Sequence, residues 1–99
     1  MKRTSDERLR DLIAGAKDEL AKADGLLFAR TLLHQAIALD IVIPAAVWDA
    51  SIILDQEDAW PREYAADRFR AFAAGRAFEL LAKAERWLDR EQARKDAGR

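Results

Sequence analysis

The stretch "LLHQAIALDIVIPAAVWDASIIL", residues 32–54, decides the fold, because it is a long, mainly apolar run with two carboxylates embedded in it. A helix that crosses a membrane needs roughly 20 predominantly apolar residues. Asp40, Pro44 and Asp49 divide this run into shorter pieces, so it does not predict a membrane span. The interpretation we favour is a pair of buried helices joined by a short corner.

Pro44 marks that corner. Proline disfavours helical geometry at the preceding Ile43 and suits the first turn of a new helix. A single helix continuing through residue 43 would place Asp40 in the middle of its apolar side, where an unpaired carboxylate is costly. The sequence therefore predicts helices over 26–40 and 44–55, with Asp40 in the corner.

The chain on either side of this pair predicts two further helices. Thr4 and Glu7 have capping-box spacing at the start of a helix over 5–24, and Gly25 is expected in the left-handed conformation that ends it. The longest helix is predicted over 61–94, followed by a frayed polar tail. In its middle, Gly75 indicates either close packing or a bend. We therefore expect an all-α single domain over 1–99, a compact bundle of four helices with helices two and three central.

Composition excludes several chemistries. The 99 residues include no cysteine and one histidine, which excludes disulfides and thiolate sites and leaves no metal or cofactor site to predict. The 17 basic and 18 acidic residues form no basic lobe, so nucleic acid is not an expected partner. The N-terminal segment lacks the apolar core of a signal peptide. We expect a cytoplasmic protein.

Self-association is expected from the apolar surplus in the centre of the chain. Helices two and three are apolar around most of their circumference, and only two other helices exist to cover them. A homodimer through Trp48 and Ile52 would hide this surface. Trp48 is expected either in the core or at such an interface, and a tight monomer with alanine-rich packing is the alternative.

Binding to another protein is expected at the acidic segment between helices three and four. Aromatic residues beside charged rims are typical of interaction hot spots. The predicted partner-binding residues are Asp55, Glu57, Asp58, Trp60 and Arg62. Because no catalytic constellation is present, we expect a non-enzymatic protein-binding module of the inhibitor, antitoxin, anti-defence or adaptor type. The alternative is that Trp60 only fastens the loop to the core.

Two other functions stay open. The segment "QAIALDIVIPAAVWD", residues 35–49, has the cadence of a helix-turn-helix regulator, although its second helix offers no basic or amide side chain to read bases. The segment "RTLLH", residues 30–34, resembles the R-x(4–6)-H arrangement of HEPN-type helical ribonucleases, with three intervening residues. That resemblance implies that Arg30 and His34, which share a helix face, contact the cleaved phosphate. Otherwise they form the solvated edge of helix two.

Overall fold

The protein is an all-α bundle of four helices, as predicted. The computed structural model describes residues 4–22, 25–39, 41–56 and 66–98; for residues 66–70 it describes the backbone only. The helices are α1 (Ser5–Leu20), α2 (Leu26–Ile37), α3 (Ala45–Asp55) and α4 (Ala66–Ala97). Within these ranges every helix is too short or too polar to traverse a bilayer.

The helices pack as two close pairs, α1 with α2 and α3 with α4, which meet through α2–α3 and α1–α4 contacts. α2 and α3 are therefore neighbours in a ring of four helices, since α1 and α4 also contact each other. Each helix contributes one apolar stripe to a common core, as amphipathic periodicity requires. The largest fully buried side chains are Leu9, Ile13, Leu33, Val47, Leu54 and Leu81.

The start of α1 confirms the predicted cap, because the Thr4 hydroxyl accepts a hydrogen bond from the Glu7 N–H at 3.2 Å. The end of α1 differs from the prediction. The helix stops at Leu20, and Asp24 lies outside the described residues. Gly25 caps the start of α2 with φ −89° and ψ −1°, so the predicted left-handed conformation is wrong. A Cβ at Gly25 would collide with the Glu19 carbonyl oxygen, and this close backbone approach is what requires glycine.

The corner between α2 and α3 confirms the predicted break. α2 ends at Ile37, and Pro44 adopts an extended conformation with φ −60° and ψ 142° as the N-cap of α3. Proline therefore precedes the helix rather than occupying its first turn. Asp40, which was predicted to occupy the corner, lies outside the described residues.

α4 is the longest helix, as predicted, with 32 residues. A helix of that length extends about 48 Å, which accounts for most of the 55 Å long dimension of the structure. It continues to Ala97, beyond the predicted end at 94, and Lys95 approaches Asp6 of α1 at 3.5 Å. The predicted start at Pro61 lies outside the described residues. Apart from its chain neighbours and the backbone of its own helix, no atom in the described part of the chain lies within 4 Å of a Cβ built on Gly75, so of the two alternatives predicted there close packing is wrong.

Charged pairs set the register of α1 against α4. Arg10 bonds Asp89 at 2.8 Å and Lys17 bonds Glu85 at 2.6 Å, while the Lys17 ammonium also lies 4.9 Å from the centre of the Phe78 ring. Because successive α1 residues pair with earlier α4 residues, the two helices are antiparallel. These pairs are partly exposed, so each contributes little to stability.

Candidate functional site

A shared carboxylate joins α2 to α3. Arg30 and His34 lie one turn apart on α2 and therefore project from the same face. The Arg30 Nε donates a hydrogen bond to Asp55 Oδ1 at 2.8 Å, and the His34 Nε2 lies 2.9 Å from the same oxygen. Asp55 is the last residue of α3, so this polar cluster fastens the end of α3 to the middle of α2.

Water reaches this polar cluster. The exposed fractions of the Arg30, Asp55 and His34 side chains are 28%, 43% and 49%. At such exposure an ion pair contributes little to stability because solvent screens it. A histidine held by a carboxylate is also an arrangement found in general bases. Here, however, the Asp55 charge is shared with a guanidinium, so a phosphate would have to compete with Asp55 for Arg30.

Apolar side chains stand exposed around the polar cluster. Trp48 and Ile52 lie one turn apart on α3 and are 47% and 52% exposed, and Leu27, one turn before Arg30 on α2, is 66% exposed. We call these three residues together with the polar cluster the α2–α3 surface: Leu27, Arg30, His34, Trp48, Ile52 and Asp55. It combines an aromatic group, aliphatic groups and both signs of charge.

The predicted site residues are only partly within the described ranges. Trp48 is exposed, so its interpretation as a core residue is wrong, and its role at an interface stays a prediction. Asp55 contacts Arg30 and His34, so these two residues are not a purely solvated edge. The other predicted partner-binding residues, Glu57, Asp58, Trp60 and Arg62, lie outside the described residues.

Sequence reasoning assigned Arg30 and His34 to one hypothesis and Asp55 to another, and it missed that they meet. The available signal was an i,i+4 polar pair on one helix and an acid in the last turn of the next helix. Among the described residues, no group of three or more histidines, cysteines or carboxylates is placed to hold a metal ion.

The fold and this surface define only a broad class, that of four-helix bundles with a mixed apolar and charged surface. Comparison of the chain with protein-family models, with curated proteins and with solved structures finds no match.

Proposed function

We propose that this protein is a small non-enzymatic protein-binding module that acts through the α2–α3 surface. The observation that supports the proposal is the exposure of Trp48 and Ile52 on consecutive turns, directly beside the polar cluster. Inhibitors, antitoxins, anti-defence proteins and adaptors are small proteins that work by such contacts. The grouping is an analogy of size and architecture, since a fold does not fix a function.

The composition of this surface suits protein recognition. Interfaces are enriched in aromatic residues and arginine at their centre, with charged groups around them. A few such anchors carry most of the binding energy. The polar cluster is already held by hydrogen bonds in the free protein, so little side-chain freedom is lost when a partner covers it.

A second copy of the chain is the first partner we propose. A two-fold interface brings the same patch of both subunits together, so the patch must be complementary to itself. The composition of the α2–α3 surface supports this proposal, because the surface carries an apolar pair and charges of both signs, Arg30 and Asp55. In such a homodimer Trp48 and Ile52 of one protomer would pack against the same residues of its partner.

Light scattering on the purified full chain tests the dimer. The chain has a mass of 11.2 kDa, and we expect a particle of twice that mass. Ile52→Lys should give the single-chain mass, because it places a charge in the apolar contact. Phe28→Lys is the matched control: Phe28 is 63% exposed but lies about 160° around α2 from Arg30. A single-chain mass for the unchanged protein, or an unchanged mass for Ile52→Lys, contradicts the dimer.

Binding of a different protein is tested with the same variants. The immobilised full chain should retain a partner from the cells that express it, and Ile52→Lys should lose that partner while Phe28→Lys keeps it. A second pair of variants, Asp58→Asn and Trp60→Ala, tests whether the predicted acidic segment contributes to partner binding. Retention of the same proteins by every variant would show that the α2–α3 surface is not the binding surface.

Ribonuclease activity is the second candidate function, because the Asp55 carboxylate lies within hydrogen-bond distance of His34, the histidine of the "RTLLH" segment. It predicts RNA cleavage that disappears in both Arg30→Gln and His34→Ala. Cleavage that survives in both variants contradicts it. No observation favours the helix-turn-helix alternative: no residue of α3 is basic, whereas Asp49 and Asp55 would repel phosphate.

A further inference from the structure

A groove of about 290 Å³ lies between the first half of α3 and the middle of α4. Its floor is apolar and buried, formed by Ala46, Leu80 and Ala84, which are at most 9% exposed. Ile43 and Trp87, both half-buried, contribute further apolar surface. The groove shares no residue with the α2–α3 surface, so it is a separate candidate site.

Two cations border the groove. Lys83 and Arg90 both line it, seven residues apart on α4, and therefore lie on one face about 10 Å apart along the helix. Neither forms an ion pair or side-chain hydrogen bond with any residue in the described ranges, whereas Arg10, Lys17 and Lys95 are all paired. Asp49 is the one acid among the lining residues. The rim therefore carries a net positive charge.

The start of α3 adds to this positive field. Pro44 and Ala45 line the groove, and Pro44 as N-cap provides no side-chain hydrogen bond to the first turn. The free N–H groups at a helix N-terminus carry a partial positive charge. The helix end and both cations therefore favour a negative charge in the groove.

We infer that this groove binds a small amphiphilic anion. The apolar body of the anion packs against Leu80 and Trp87, and its carboxylate contacts Lys83 and Arg90. Both side chains are long and flexible enough to converge on one carboxylate. The volume lies just below the range for sites of drug-sized molecules, about 300–1,000 Å³, so the ligand must be small.

Three eight-carbon probes test the sign of charge that the groove selects. Octanoate, octanol and octylamine are titrated below their aggregation limits into the full chain. Binding is followed by the NMR signal of the Trp87 indole N–H, assigned with Trp87→Phe. Octanoate should give saturable shifts at Trp87 and Ala46, octanol should bind about tenfold more weakly because it loses a charge-assisted contact, and octylamine should be weakest.

Charge variants locate the anion. Lys83→Gln and Arg90→Gln should each weaken octanoate binding about tenfold. Arg86→Gln is the matched control, since Arg86 is an exposed cation of the same helix that does not line the groove, and its affinity should be unchanged. Ala45→Phe, a substitution at an exposed lining residue, should fill the groove and abolish binding while the helical circular dichroism is kept.

Equal binding of the three probes, or equal octanoate affinity in Lys83→Gln, Arg90→Gln and the unchanged protein, would overturn the inference. Binding of an acidic peptide without binding of octanoate would overturn it as well. The outcome is separate from the proposed function, because Ile52→Lys should lose the dimer and keep octanoate binding.

Discussion

Replacing Asp55 by asparagine should lower the free energy of unfolding by about 1 kcal/mol. The asparagine keeps the size of the side chain and one acceptor oxygen, so packing is retained. What it removes is the negative charge that faces Arg30 and His34 across the α2–α3 contact. The loss therefore measures how much the shared carboxylate holds the two helices together.

The magnitude follows from the exposure of the three side chains. Pairs that are fully exposed contribute about 0.2–1 kcal/mol, and hydrogen bonds to charged groups in drier places about 1.5–3 kcal/mol. With exposed fractions of 28% for Arg30, 43% for Asp55 and 49% for His34, the cluster belongs near the exposed limit. Two weakened contacts of about 0.5 kcal/mol each give the expected total.

The assay is urea unfolding of the unchanged protein, Asp55→Asn, Arg30→Gln and the double variant. This double-mutant cycle isolates the coupling of Arg30 with Asp55 from whatever else each residue does. We expect a coupling energy of about 0.5 kcal/mol that decreases in high salt. A coupling energy indistinguishable from zero, with the m-value unchanged, would refute the assignment of the cluster as a connection between α2 and α3.

Three stability predictions rest on the packing of other residues. Gly75→Ala should raise the free energy of unfolding by about 0.5–1 kcal/mol, because an added Cβ meets open space; a lower midpoint of thermal unfolding would contradict it. Gly25→Ala should instead destabilise, since its Cβ would collide with the Glu19 carbonyl oxygen, and a neutral result in urea would refute that contact. Leu81→Ala, at a fully buried position, should cost about 2–5 kcal/mol and leave the chain largely unfolded in thermal scans.

Local signals in the sequence predicted the helices well. Pro44 marked the corner between α2 and α3 because the lack of an N–H and the fixed φ act at that residue whatever surrounds it. The Thr4 cap was predictable because it too is local: the hydroxyl accepts a hydrogen bond from a backbone N–H only three residues away. The role of Gly25 was not, because the sequence suggests the common left-handed use of glycine, whereas the constraint is the close approach of the Glu19 carbonyl, six residues earlier, which depends on the path of the chain between α1 and α2.

The candidate site was less predictable because it depends on how helices are rotated against each other. Periodicity placed Arg30 and His34 on one face, but nothing in the pattern indicated that Asp55 would meet them, since the register of α2 against α3 is set by packing. Trp48 shows the same limit. In a helix that is apolar on nearly every side, the sequence alone does not reveal which side is buried.

The distribution of side chains around α3 supports the proposed contact surface. α3 buries Ala46, Val47, Ala50, Ser51 and Leu54, while Trp48 and Ile52 keep about half of their surface exposed. Small residues let the first part of α3 approach its neighbours closely, whereas the fully buried Leu54 fills the core near its end. Polar residues at 48 and 52 would leave this packing intact and avoid the cost of exposing apolar surface to water. Folding accounts for the covered half of this tryptophan and isoleucine, and the proposed contact with another chain would account for the exposed half.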